Sequence, residues 1–164
     1  MRPEPLPAGP GQESVWDYPR PPALEPVAER VRIEHEGRAL ADSRAAWRVL
    51  ETSHPPVYYL PPEDVSTSRL TPSRNTSWCE FKGTARYWDV KSDLGVLAEV
   101  AWSYPDPSPG YEPIAGHLAL YAWAFDACWV GDERATPQPG GFYGGWITSR
   151  IVGPFKGEPG TTGW

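Results

Sequence analysis

Three groups of side chains in this sequence have the chemistry to act on a small molecule, and each group has a plainer structural role to be weighed against it. The metal-ligating pool is His35, His54, His117, Cys79 and Cys128. Zinc takes three or four such ligands at close spacing, or brought together by the fold. None of these five is clustered in sequence, and only a convergence of His54, Cys79 and His117 would build a site. No metal or other cofactor is expected. The same residues offer a hydrolase or transferase arrangement, with Cys79 as nucleophile and His54 or His117 as its base. The alternative is that Cys79 is a small, half-buried apolar residue, while Cys128, inside an aromatic run, reads as core.

Phosphate chemistry has less to stand on. Pro139–Trp146 is glycine-rich, but it lacks the Lys and Ser/Thr spacing that sets side chains on phosphate and magnesium. Two-metal nucleotidyl transfer needs convergent carboxylates. Asp42, Asp64, Asp89 and Asp106 are scattered, and the adjacent Glu63 and Asp64 point apart on a strand.

The aromatic residues carry more information. Trp78, Trp88, Trp102, Tyr104, Tyr111 and Trp146 exceed what a small core needs, and they border polar loops. Aromatic walls with a few polar anchors are how small organic ligands are held. The candidate anchors are Arg86, His54, Lys82 and Glu80. Arg86 shares a strand face with Trp88, and an inward arginine needs Glu99, Asp64 or an anionic ligand as partner. The expected site is a cleft between the Thr84–Tyr104 strands and the His54–Tyr59 strand. There Trp78 and Trp102 stack on a small planar or apolar ligand, Arg86 and His54 hold its anionic end, and Tyr58 and Tyr104 supply hydroxyls. The competing reading packs Trp78 and Trp102 as core and pairs Arg86 with Glu99, in a structural or protein-interaction module.

The elements that must position these groups are short strands. Pro (21) and Gly (16) together argue against long helices and for strands joined by rigid turns. Met1–Pro26 reads as a proline-rich arm, and residues 27–164 as one β domain with a Gly/Trp-rich tail wrapped on it. Val27–Ile33 alternates as a strand and turns at Glu36–Gly37–Arg38 into Ala39–Leu40–Ala41. Arg44–Glu51 fits a short helix or a third strand. Val57–Leu60 is a strand bracketed by proline pairs, Glu63–Val65 a single helical turn or loop, and Ser66–Ser77 an exposed, mobile loop. Thr84–Val90 and Val96–Tyr104 are strands, the latter with Val96, Val100, Trp102 and Tyr104 inward. Leu118–Val130 is expected as a strand bent near Asp126.

The formal net charge is −6, with no lysine block or arginine stripe, so no nucleic-acid partner is expected. No apolar run is long enough to span a membrane, and no leader segment is evident. Two cysteines suit a reducing, cytoplasmic setting. Trp16, Tyr18 and Trp164 lie near the chain ends with few local partners, which favours a homodimer anchored through them.

Six stretches carry a family likeness: His54–Pro–Pro–Val–Tyr–Tyr, Glu63–Asp64–Val65, Cys79–Glu–Phe–Lys–Gly83, Ala101–Trp–Ser–Tyr–Pro105, Ile114–Ala–Gly116 and Gly140–Gly–Phe–Tyr–Gly–Gly–Trp146. Together they resemble the DUF427 family, whose function is undefined and which is sometimes labelled nucleotidyltransferase-like. The resemblance implies a mainly β fold of short twisted strands, of the Mss4-like or β-tent kind, with at most one or two short helices. Relatives of that kind often hold zinc through two Cys-x-x-Cys pairs. This chain has no such pair, so the resemblance brings no structural metal with it. Some β-tent proteins bind small cyclic ligands between tryptophans, an analogy that favours the binding reading.

Overall fold

The computed structural model describes residues 2–164. Its strands are β1 (Glu13–Ser14), β2 (Ala23–Pro26), β3 (Val31–His35), β4 (Arg38–Ser43), β5 (Trp47–Leu50), β6 (Val57–Tyr59), β7 (Leu70–Cys79), β8 (Gly83–Ser92), β9 (Gly95–Ser103), β10 (Ala119–Leu120) and β11 (Ala127–Val130). Four two-residue strands follow: β12 (Glu133–Arg134), β13 (Thr136–Pro137), β14 (Trp146–Ile147) and β15 (Ile151–Val152). The fold is mainly β. Its only helical pieces among the described residues are single 3-10 turns, and none is long and apolar enough to cross a membrane.

Three small sheets form the body. They run β10-β9-β8-β7, β12-β11-β3-β4 and β2-β5-β6. The first hydrophobic core lies around Val31, Ile33, Leu40, Leu60, Val90 and Trp146; the second gathers Tyr59, Ala85, Trp102, Tyr104 and Ile114. A third cluster joins Val15, Trp16, Tyr18, Leu50 and Ile151. It forms because β1 pairs in parallel with β15 and Trp164 packs edge-on against Trp16 at 5.6 Å. The aromatics expected at a subunit interface are thus used within the chain. The proline-rich lead lies on the body from Leu6, whose N donates to Gly153 O, and β2 is a full member of the third sheet.

The first hairpin turns at Glu36–Gly37, both at positive φ (56° and 72°), as expected of a two-residue turn. Its first strand starts at Val31, not Val27, with Val31 and Ile33 wholly enclosed. Arg44–Glu51 resolves as strand β5.

Three expectations are corrected. Ser66–Ser77 is no mobile loop: Leu70–Cys79 is a ten-residue edge strand laddered to β8. Its exposed, polar side chains hide the pairing from any periodicity argument, because the backbone ladder alone fixes it. Leu118–Val130 is two strands in different sheets, separated by the 3-10 turn Ala122–Ala124. Val96 is exposed: it pairs with exposed Lys91 at the hairpin end, past the point where the ladder slips between Trp88 and Val90 and Glu99 takes φ 53°. Val100, Ala101, Trp102 and Ser103 are all buried in succession because both faces of the strand are covered there, Ala101 by the first core and Trp102 by the second.

Candidate functional site

The structure divides the six expected ligand residues among three places. Trp102 pairs in register with Tyr87, and Arg86 with Ser103. Adjacent positions on a strand face opposite ways, so Arg86 and Trp102 lie on opposite faces of one sheet. Trp78 is 74% exposed. Exposed Arg86 stacks over Trp88 at 5.5 Å and borders an open hollow with Arg74 and Asp106. It has neither expected partner. Glu99 accepts from Ser73 and Asn75, and Asp64 accepts from the Ser43 hydroxyl at 2.7 Å. Tyr58 and Tyr59 also diverge: Tyr59 accepts from Trp102 Nε1 at 3.2 Å, while Tyr58 packs on Trp146 in the first core. A single cleft holding all six residues is excluded by this alternation.

His54, Trp102 and Tyr104 remain around the second core and its rim, and Lys82 joins them. Lys82 closes the β7–β8 turn. Its carbonyl accepts from Ser108 N at 2.9 Å, which ties that turn to the loop after β9. Gly83 follows at φ 104°, and a Cβ there would press on Ser108 Oγ at 3.3 Å. The glycine therefore permits both the turn and the close approach. Lys82 is only 9% exposed, and its ammonium lies 5.7 Å from the centre of the Tyr104 ring. No carboxylate lies within ion-pair distance of it among the described residues. Lysine is rarely buried without a counter-charge.

His54 is aimed by the preceding Ser53, a fully buried non-glycine residue at φ 76°. Such a conformation persists only where surrounding contacts hold it. Here Ser53 N donates to Val15 O, and Ser53 O accepts from Lys156 N. The His54 ring meets Tyr143 edge-on at 4.9 Å, and the Lys156 ammonium lies 5.4 Å from the centre of the Tyr143 ring. Buried Gln138 organises this corner. Its amide nitrogen contacts His54 Nδ1 at 3.0 Å and donates to Lys156 O, and its oxygen accepts from Gly145 N. With the amide donating, Nδ1 is the acceptor and the proton sits on Nε2. Burial pushes the His54 pKa down to about 4; Glu51 opposes this, and Lys156, Arg20 and Lys82 add to it. The ring is neutral at pH 7, with Nε2–H 3.8 Å from Glu51, too far for a hydrogen bond.

Trp102 floors the second core beside Tyr121, with ring centres 4.7 Å apart. Gly144 lies so close that any Cβ would overlap the indole. The glycine-rich segment is therefore pressed onto Trp102 and His54, and it supplies the Tyr143 cap.

The nucleophile and metal arrangements do not assemble. No hydrogen bond joins Cys79 to a histidine among the described residues, and His117 Nδ1 faces Ala115 O. Burial pushes the Cys128 thiol up to about 12, which leaves it unreactive. No group of three His, Cys, Asp or Glu side chains converges among the described residues. Sequence reasoning weighed Lys82 as an anchor but missed Gln138, Tyr143 and Lys156. A lone glutamine and a glycine-flanked tyrosine give no local signal.

Four of the stretches that carry the family likeness meet at this corner: the His54, Lys82, Trp102–Tyr104 and Tyr143 segments. The sequence profile of the family described as a domain of unknown function (DUF427) matches residues 23–131. The chain belongs to that family. No curated protein matches it. The matched span contains His54, Lys82, Trp102 and Tyr104, whereas Gln138, Tyr143 and Lys156 come from beyond it.

Proposed function

We propose that this protein binds a small organic anion, with the carboxylate or phosphate group of the ligand seated on Lys82. The observation that carries the reading is Lys82, a residue only 9% exposed whose ammonium has no counter-charge within the described chain. A cation that has lost most of its water shell but is still reachable gains from pairing with a bound anion. Two neutral donors support it: His54 Nε2–H and the Tyr104 hydroxyl, neither hydrogen-bonded within the described chain. The enclosed side-chain polar atoms without a partner belong to Tyr18, Arg32, His35 and Trp129. Lys82 Nζ and Tyr104 Oη are not among them, so both keep access to water and to a ligand. The aromatic rings of Tyr104 and Tyr143 supply walls for a planar body.

Titration with benzoate and inorganic phosphate, against neutral benzamide, tests this reading. Benzoate is expected to bind saturably and benzamide much more weakly. Lys82→Met should abolish benzoate binding while the melting temperature holds or rises. Binding should also raise the His54 pKa, since an anion beside the ring favours its protonated form; the ring resonances in NMR would report this. Benzoate and phosphate that fail to bind, or that bind Lys82→Met equally well, would remove the proposal.

A further inference from the structure

A second polar hollow lies on the β7–β8 side of the first sheet, on the face turned away from Trp102. Most arginines of this acidic chain meet a carboxylate, but Arg74 and Arg86 meet none among the described residues. Both line one open hollow of about 680 Å³, a size within the range of small-molecule sites. Thr76, Thr84, Pro72, Pro105 and Asp106 complete its lining.

Each arginine is positioned by something other than a counter-charge. Between the pairs Pro72–Trp88 and Thr76–Arg86, three residues of β7, Ser73 to Asn75, stand opposite Tyr87 alone. Glu99 clamps this bulge: it accepts from Ser73 Oγ at 2.7 Å and from Asn75 Nδ2, and Asp89 in turn accepts from Glu99 N at 2.8 Å. Glu99 and Asp89 are the only carboxylates of β8 and β9, and both are committed here. Arg74, at the centre of the bulge, is left without one. Arg86 lies over the Trp88 ring at 5.5 Å, and Trp88 Nε1 donates to buried Ser103 Oγ at 3.0 Å, which fixes the indole. A guanidinium stacked on a fixed ring keeps its N–H edge free for a ligand.

Asp106 reaches the same hollow on the loop after β9, which Ser108 N ties to Lys82 O. It forms an ion pair with neither arginine. Charges of both signs therefore share one hollow without neutralising each other, and cations are in excess by one. A ligand that satisfies both signs carries an anionic group and, apart from it, hydrogen-bond donors.

We propose that this hollow is a second binding site, for a phosphorylated polyol of the sugar phosphate class. A carboxylate matches one guanidinium fork, whereas the three terminal oxygens of a phosphate monoester serve two. Arg74 and Arg86 take the phosphate, and Asp106 with the Thr76 and Thr84 hydroxyls takes the hydroxyls of the carbon chain. The site shares no side chain with the Lys82 corner and stands or falls without it.

The test is an NMR titration of the full chain with glucose 6-phosphate, read at the Thr76 and Thr84 amides, with methyl phosphate, glucose and glutamate as controls. Glucose 6-phosphate is expected to bind saturably and methyl phosphate more weakly, with no saturable shifts from glucose or glutamate at millimolar concentration. Arg74→Gln and Arg86→Gln should each weaken glucose 6-phosphate roughly tenfold, as loss of a charge-assisted hydrogen bond does. Should Arg86→Gln disturb the Trp88 stack, Arg74→Gln removes the other fork and carries the same expectation. Asp106→Ala should cancel the advantage of glucose 6-phosphate over methyl phosphate. Absence of saturable shifts at Thr76 and Thr84 overturns the proposal, as do shifts confined to Lys82 and Tyr104, which would put the phosphate at the other corner. So does glutamate binding as tightly as glucose 6-phosphate, affinity unchanged in the folded arginine variants, or an advantage over methyl phosphate that survives Asp106→Ala.

Discussion

Lys82 and Arg48 are both largely withdrawn from water, and the fold treats them in opposite ways. Arg48 lies mid-strand, and its fork takes Glu13 on one nitrogen and Glu25 on two others. Lys82 lies in a turn, faces an aromatic ring, and meets no carboxylate. Arg48 therefore holds the N-terminal segment to the third sheet, whereas Lys82 holds nothing within the chain that requires its charge. A buried cation with partners explains itself structurally. A cation without them is left available to pair with something outside the chain.

The largest expected effect breaks the comparison directly. Arg48→Leu leaves Glu13 and Glu25 without their cation. Removing one member of a buried pair costs roughly 3–5 kcal/mol. Here the carboxylates are 39% and 50% exposed, so water recovers part of that, and a loss of roughly 2–3 kcal/mol is expected in urea denaturation. Lys82→Met orphans no partner and should leave stability within about 1 kcal/mol of the parent, or raise it. Equal losses in the two variants would end the distinction.

His54 sharpens it. Its folded pKa of about 4 lies below the unfolded value of 6.5, so the unfolded chain binds the proton more readily. The contribution is present above 6.5 and is lost as pH falls through the window down to about 4. The size of the shift corresponds to on the order of 3 kcal/mol at most. His54→Gln should flatten that part of the acid limb when urea midpoints are followed against pH. An unchanged limb would mean that the ring is solvated and that its corner is open to water.

The smallest effect concerns the face that the fold turned outward. Trp78→Ser should change stability by less than about 0.5 kcal/mol, and it should leave benzoate binding unaltered. Loss of benzoate binding in that variant would return Trp78 to the site and move the anion to the Arg86 side of the sheet.

The mainly β character was legible because prolines, glycines and two-residue turns act locally. Glu36–Gly37 needs only its own backbone to reverse the chain. The alternation of Arg86 with Tyr87, and of Tyr58 with Tyr59, was legible for the same reason. What could not be read was which member of each pair faced inward. Arg86 shares a face with Trp88, as expected, but that face opens to solvent at the Arg86 end. Tyr59 took the place by Trp102 that the sequence reading assigned to Tyr58.

The sequence by itself determined strand-forming segments, tight turns, the acidic balance and the family. Each depends on residues a few positions apart, or on composition, and backbone sterics and side-chain alternation suffice to set them. Only the tertiary structure decided the partners. Gln138 meets His54 across 84 residues, and Tyr111 donates to Pro22 O across 89. The bulge at Glu99 shifted the pairing of β9 with β8 by two residues, and Gly83 and Gly144 allowed approaches that no periodicity encodes. Whether a buried charge is paired depends on what packs opposite it. In a fold of short strands from distant segments, that is settled by the joint packing of three sheets and not by any one stretch of chain.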